Sequence, residues 1–176
     1  MRYNKMNRKT TTQFLSKLLV NKRLTQRGVY YASEVTLDYG SKHPKRVDFI
    51  QYKPINQMSV SGLEKGSVIC YEVKSCKEDY HSGNGLNYEG DKNYIVTTME
   101  CYKDIVNDVP WNIGIIVAIP QGRDSVEEFN NPTPIPINWN DDVSSCWELK
   151  VIKNAFETNR KRSLTEILFC MLRAGN

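Results

Sequence analysis

The stretch Ser67–Gly85, SVICYEVKSCKEDYHSGNG, places a glutamate and a lysine two residues apart in an otherwise apolar run. The apolar run itself predicts a strand that is dense enough in hydrophobic side chains to lie at the centre of a sheet. Because side chains alternate along a strand, Glu72 and Lys74 face one side of the sheet and Val73 faces the other. Two opposite charges are therefore directed at one place.

A glutamate and a lysine on a central strand are expensive to desolvate, and a surface ion pair would contribute at most about 1 kcal/mol. A divalent cation would stabilise the carboxylate, because carboxylate oxygens are the preferred ligands of Mg²⁺. Asp48, in RVDFI between Val47 and Phe49, interrupts the preceding apolar strand and offers a second carboxylate. The sequence therefore predicts a cation site, and a structural pair between Glu72 and Lys74 is the alternative.

The rest of the chain predicts further strands of a sheet and helices that pack against it. Helical spacing and caps predict a first helix that starts at Thr10–Thr12, a short one after Thr98, and a last one with a capping box of Ser163 and Glu166. Strands are predicted at GVYYASEVTLD, RVDFIQYKP, SVICYEVKS, NYIVTT, WNIGIIVAIP and WELKVI, the first two as a β-hairpin. The prolines within Gln121–Ser145 predict a long irregular excursion.

Composition limits the classes of protein to which the chain can belong. Its 176 residues, 40% hydrophobic and 25% charged, predict one domain over residues 1–176. No apolar run approaches the ~20 residues that cross a bilayer, and the amino terminus lacks a secretory signal, so we expect a soluble, cytoplasmic protein. Five scattered cysteines indicate buried thiols rather than a disulfide framework. With only His43 and His81 as imidazoles, a structural zinc site is not expected.

Basic residues are concentrated at the amino-terminal end. Residues 1–46 hold 11 Lys or Arg against two acidic residues, while the remainder holds 13 against 18. A basic face suits a polyanionic partner, although a solvated helix rich in lysine explains the charge equally well. The candidate nucleic-acid contacts are Lys17, Lys22 and Arg23 on the first helix, and Arg160, Lys161 and Arg162 before the last one. An exposed basic turn is the alternative for the second group.

Asp48, a loop, and then Glu72-Val73-Lys74 resemble the signature of the PD-(D/E)XK nuclease superfamily. The longer run YYASEVTLDYG…RVDFI…CYEVKSCKEDYHSGNG…GDKNYIV is similar to the MmcB-like DNA-repair group and related bacterial and prophage proteins. The resemblance implies an α/β (α+β) fold with a restriction-endonuclease-like core, in which a central mixed β-sheet is flanked by helices. Val47 replaces the proline of the signature, and the Gln-x-x-x-Tyr helix motif of some nuclease branches is absent.

The resemblance also implies roles for the residues that match the signature. Asp48 and Glu72 would bind Mg²⁺ or Mn²⁺ together with the main-chain carbonyl of Val73. Lys74 would orient the attacking water and offset developing negative charge. Glu34, on the first predicted strand, would be a further metal ligand or a base.

The implied activity is a divalent-metal-dependent endonuclease that hydrolyses phosphodiester bonds in DNA, in repair, recombination or phage biology. His81 is a candidate general base or phosphate contact, and an exposed loop histidine is the plainer explanation. The alternative function is a non-catalytic nucleic-acid-binding or protein-binding regulator on the same fold, which would bind in a salt-sensitive manner without cleavage.

The E-x-K spacing alone is a weak signal, because the chain contains it twice. Glu148-Leu149-Lys150 in WELKVI repeats it, with Asp141 and Asp142 upstream. Those two aspartates fall in a polar loop, whereas Asp48 falls in an apolar strand. We therefore expect only the copy at Glu72 to form a site.

Overall fold

A six-stranded mixed sheet forms the centre of the computed structural model, which describes residues 7–136, 139 and 142–175. The strands are β1 Tyr30–Leu37, β2 Lys45–Lys53, β3 Ser67–Lys74, β4 Lys92–Thr98, β5 Gly114–Pro120 and β6 Trp147–Lys153. They lie side by side in chain order. The β3–β4 and β4–β5 pairs are parallel and the other three pairs are antiparallel. The predicted mixed sheet and its β1–β2 hairpin are confirmed.

The helices lie on both faces of this sheet. They are α1 Arg8–Leu19, α2 Val60–Glu64, α3 Lys77–His81, α4 Met99–Ile105, α5 Ser125–Asn130 and α6 Leu164–Ala174. A π-helical turn, Val20–Leu24, continues α1, and a 3₁₀ turn, Val143–Ser145, precedes β6. The predicted caps of α4 and α6 are confirmed, because Thr98 accepts from the amide of Cys101 and Ser163 accepts from that of Glu166.

Two local predictions were wrong. The first helix begins before Thr10–Thr12, because the Asn7 side chain accepts from the amide of Lys9 and caps it earlier. The Thr12 hydroxyl instead donates to the carbonyl of Arg8 inside the helix. The excursion at Gln121–Ser145 is also not wholly irregular, since the Asp124 carboxylate caps α5 within it.

Buried side chains form three clusters, one on the α1 face of the sheet and two on the opposite face. Leu15 and Leu18 of α1, both fully buried, pack over the middle strands. On the other face, α6 packs against β1, β2 and β3, while α3 and α4 pack against β4 and β5. Burial of each such leucine contributes about 1.5–3 kcal/mol. The second face is therefore divided, and the division passes β3.

Among the described helices, none combines the length and the apolar character that crossing a bilayer requires. All five cysteines are free thiols. Cys70, Cys101 and Cys170 are buried as expected, whereas Cys146 is exposed, because it follows a surface 3₁₀ turn.

Candidate active site

Three carboxylates lie close together on neighbouring strands. Glu34 and Asp48 fall at a gap in the pairing of β1 with β2. Regular pairing of β2 with β3 ends one residue short of Asp48 and Glu72. The negative charge of Glu34 raises the pKa of Asp48, and that of Asp48 raises the pKa of Glu72, which requires the three groups to be near one another. The sheet therefore brings together the carboxylates that the sequence predicted as metal ligands.

Asp48 marks the point where β2 and β3 part. Its Oδ2 accepts a hydrogen bond from the main-chain N–H of Val73 at 2.8 Å, which replaces a strand-to-strand bond. Glu34 has a φ of 53°, a left-handed conformation that is uncommon for residues other than glycine. The Glu34 side chain is mostly exposed and lies 3.0 Å from the Arg46 guanidinium. Glu34 therefore belongs to the rim of the site and Asp48 to its floor.

The Glu72 carboxylate is buried without a hydrogen-bond partner. The residue is 1% exposed, and neither carboxylate oxygen has a partner. Burial, followed by the negative charge of Asp48, raises the pKa of Glu72 to about 9. The Lys74 ammonium lowers the pKa of Glu72 in part. The main-chain amides of Asn87 and Asp48 also lower it, although neither forms a well-aligned hydrogen bond with the carboxylate. Such a carboxylate is costly to leave ionised, so it requires a positive partner or a proton.

The pKa of Asp48 is also raised, by a smaller amount than that of Glu72. Burial raises its pKa and the Glu34 carboxylate adds to the rise, while the Val73 amide, Lys74 and Arg46 oppose it. The two carboxylates therefore each disfavour ionisation of the other. A cation held between them would reverse that balance, because it favours both ionised forms.

The loop after α3 closes over Glu72 and Lys74. Lys74 is 4% exposed and its Nζ donates to the main-chain carbonyl of Asn84. Gly85 has a φ of 72°, and a Cβ there would lie 3.0 Å from Glu72 Oε2 and 3.6 Å from Lys74 Nζ. Glycine at this position therefore allows the loop to approach both charged groups.

A cavity of about 410 Å³ lies next to these side chains. Its lining comprises Arg8, Thr12, Glu34, Pro44, Lys45, Arg46, Asp48, Val73, Lys74, Asp79, Asn84, Gly85 and Asn87. The sequence patterns did not assign Arg8, Thr12, Lys45 or Arg46 to the site. The basic amino-terminal segment indicated a face for a polyanion but did not single out these positions. Glu72 is outside this lining, behind Gly85.

The donor set suits a hard cation that retains water. Across the described residues, no group of three or more His, Cys, Asp or Glu side chains forms a ready-made metal centre. An ion here would nevertheless have two carboxylates, those of Asp48 and Glu72, and the Val73 carbonyl would be the third oxygen. Mg²⁺ is commonly held by one or two carboxylates and keeps several waters. The unpartnered oxygens of Glu72 are therefore the observation that best fits such an ion.

Two of the three predicted contacts before α6, Arg160 and Arg162, are engaged within the protein. Arg160 Nε lies 2.7 Å from Asp91, and Arg162 donates to both oxygens of Asp38 at 2.7 and 2.8 Å. Their side chains are 20% and 15% exposed, whereas Lys161 is exposed. These two arginines therefore hold the segment before α6 against the sheet.

The remaining predicted contacts also fall outside the cavity. The ring of exposed His81 lies 2.8 Å from Asp108. Lys17, Lys22 and Arg23 are half-buried along α1 and its π-helical turn. Burial raises the pKa of Tyr71 to about 12 and the Arg23 guanidinium opposes the rise, which places Arg23 beside that hydroxyl on the α1 face.

The chain matches no family model and no curated protein. Its fold is similar to the solved structure of the SPO1766 protein of unknown function from Silicibacter pomeroyi. The two share 13% sequence identity with a TM-score of 0.52, over 99% of this chain and 85% of that chain. A likeness at this identity supports the fold alone.

Proposed function

We propose that the protein is a divalent-metal-dependent nuclease that hydrolyses phosphodiester bonds in DNA. The observation that carries the proposal is the Glu72 carboxylate, buried without a hydrogen-bond partner next to Asp48 and Lys74 at the point where two strands part. Folding leaves this group in need of a positive partner. The similarity of these residues to the PD-(D/E)XK signature supports Mg²⁺ or Mn²⁺ as that partner.

Asp48, Glu72 and the carbonyl of Val73 would hold the ion. When bound, it lowers the pKa of a coordinated water and neutralises charge on the scissile phosphate. Lys74 would direct its ammonium at the attacking water and at the charge that develops on the phosphate. Glu34, on the rim beside Arg46, would accept a proton or add a further ligand.

The charge around the cavity supports a polyanionic substrate. Four lining residues are basic, namely Arg8, Lys45, Arg46 and Lys74, against the three acidic residues Glu34, Asp48 and Asp79. A bound divalent cation would leave the cavity clearly positive. Phosphate backbones are drawn to such surfaces, and their binding weakens as salt rises.

A cleavage assay tests the proposal. Supercoiled plasmid or a branched oligonucleotide, incubated with Mg²⁺ or Mn²⁺, is expected to be cut by the native protein and left intact in EDTA. Glu72→Ala and Lys74→Ala should each lower the rate by about 10²-fold or more, the scale of losing one electrostatic stabiliser of a transition state.

The matched control for the cleavage assay is Lys150→Ala. It removes the lysine of the second E-x-K copy and should retain the native rate. Cutting by the Glu72 and Lys74 variants at the native rate would reject the assignment.

The second candidate is a regulator that binds nucleic acid without cutting it. The observation that favours it is the closed loop, because Gly85 separates Glu72 from the cavity and the Asn84 carbonyl occupies Lys74. This candidate predicts salt-dependent binding of the same oligonucleotides and no cleavage with either metal ion.

A further inference from the structure

Arg8 brings a positive charge from α1 to the cavity at the end of β3. Its guanidinium donates to the carboxylate of Asp79, a residue of α3 that lies 71 positions further along the chain. The Asp79 side chain is 8% exposed, whereas that of Arg8 is 59% exposed. The carboxylate is therefore the fixed member of the pair, and the arginine is the member that solvent and ligands reach.

Asp79 is itself fixed to the strand that carries the site. Its Oδ2 accepts from the main-chain N–H and from the hydroxyl of Ser75, both at 3.1 Å. Ser75 directly follows Lys74. Through Asp79, the Arg8 guanidinium is thus placed relative to the end of β3 rather than left to move with the helix terminus.

The cavity has two kinds of wall. Asp48, Val73 and Lys74 come from the strands, while Arg8 and Thr12 come from α1. Among the described lining residues, Arg8 is the one basic residue that the helix contributes. A phosphate held near Asp48 and Lys74 would therefore have a cation of the helix on its other side.

The pairing with Asp79 uses only part of the hydrogen-bonding capacity of the Arg8 guanidinium. Arginine carries five N–H donors in a rigid fork that matches the oxygens of a phosphate. Asp79 engages one of its terminal nitrogens. Because 59% of the Arg8 side chain is exposed, its solvent side is open to a second acceptor while Asp79 holds it in place.

We propose that Arg8 binds a backbone phosphate of the nucleic-acid strand in the cavity and that Asp79 is its positioning residue. The inference rests on the proposed function for the identity of the ligand. It adds to that function a phosphate contact on α1, opposite the residues that would hold the metal ion. Asp79 acts through Arg8 and touches no substrate.

Oligonucleotide binding tests the inference. The probe is a fluorescein-labelled single-stranded oligonucleotide with Mg²⁺, measured by anisotropy in the Lys74→Ala background so that cleavage does not interfere. Arg8→Ala and Arg8→Gln should each raise Kd about tenfold and lower the slope of log K against log salt by about one, since one phosphate contact is lost. Arg8→Gln keeps a donor for Asp79 and serves as the second variant.

The Asp79→Asn variant tests the placement of the Arg8 guanidinium separately from its positive charge. It leaves the Arg8 charge in place, so it should raise Kd about threefold with an unchanged salt slope. The matched control is Arg27→Ala, which removes an exposed arginine of the same basic segment outside the cavity lining and should leave Kd within about twofold. Thermal unfolding of each variant checks that the fold persists.

The outcomes are distinct for the inference and for the proposed function. A native Kd and salt slope in both Arg8 variants, an equal loss in Arg27→Ala, or no binding by the parent would overturn the role of Arg8. If the Arg8 variants show the expected effects but the native protein does not cleave, the role of Arg8 is upheld and the proposed nuclease activity is rejected. Cleavage by the native protein together with unaffected Arg8 variants would uphold the nuclease and reject the role of Arg8.

Discussion

The two E-x-K copies have the same spacing and opposite surroundings. Glu72-Val73-Lys74 lies on β3, between β2 and β4, and its two charged residues are 1% and 4% exposed. Glu148-Leu149-Lys150 lies on β6 at the edge of the sheet, where the charged side chains are 31% and 36% exposed. Glu148 lies 3.7 Å from Lys150.

The charged side chains of the edge copy have partners or water in the folded protein, whereas the carboxylate of the central copy has no hydrogen-bond partner. At the edge, Lys150 donates to the Arg123 carbonyl at 2.8 Å, and both charges reach water. At the centre, the oxygens of Glu72 have no hydrogen-bond partner. Of the aspartates upstream of the edge copy, Asp141 lies outside the described residues, and Asp142 precedes a surface turn rather than facing β6 from a strand. The two copies thus differ in burial and in the presence of a neighbouring carboxylate, although their spacing is the same.

Metal binding should separate the two copies most strongly. Glu72→Gln and Asp48→Asn are each expected to weaken Mn²⁺ binding at least tenfold, because each removes a charged ligand from a site with two carboxylates. Calorimetric titration with Mn²⁺ in the presence of an oligonucleotide measures this. Glu148→Gln, the same change at the edge copy, should keep the native affinity. Equal affinities in all three variants would show that the central copy is no metal site.

Stability as a function of pH provides the second contrast. Without divalent ions, the pKa of Glu72 is about 9 in the folded protein and 4.5 in its ordinary state, so the folded form binds more protons between these values. The free energy of unfolding should therefore fall as pH rises through this window, by at most about 1.4 kcal/mol per pH unit. Urea denaturation in EDTA at several pH values measures the slope.

Glu72→Gln should flatten that slope, because a glutamine has no proton to lose. Glu148→Gln should leave it unchanged. A slope that survives in Glu72→Gln would assign the pH dependence to other groups.

The smallest expected difference is between alanine substitutions at two glycines of the loop that covers Glu72. Gly85→Ala places a Cβ 3.0 Å from Glu72 Oε2, whereas a Cβ at Gly83 meets no heavy atom within 4 Å. Both glycines have a left-handed φ, 72° and 71°, so both substitutions carry the same backbone cost of about 1–2 kcal/mol. Gly85→Ala should be about 1 kcal/mol less stable than Gly83→Ala in urea denaturation and should cut DNA more slowly. Equal behaviour of the two variants would remove the loop from the site.

Local rules account for the parts of the fold and site that were predictable. Strand alternation places Glu72 and Lys74 on one face, and the caps at Thr98 and Ser163 depend on hydrogen bonds within three residues. Asp48 was identified because it interrupts an apolar strand. Periodicity and capping act over a few positions, so one chain read in order contains the required information.

Distant contacts account for what was missed or left open. The Arg160 and Arg162 side chains could equally have been exposed, and only packing against Asp91 and Asp38 engages them. Arg8 enters the site because α1 crosses the sheet beside β3, a juxtaposition with no local signature.

By itself, the sequence determined the strands, the β-hairpin and the two charges that share a face of the third strand, because alternation and spacing are properties of neighbouring residues. Tertiary structure alone decided that Glu72 is sealed beneath Gly85, that Asp48 replaces a backbone hydrogen bond, and that Arg8 reaches the same cavity. The reason is physical: desolvation and contact depend on what the whole chain packs around a group, and at this site that packing joins Arg8 to Asp79, 71 positions apart.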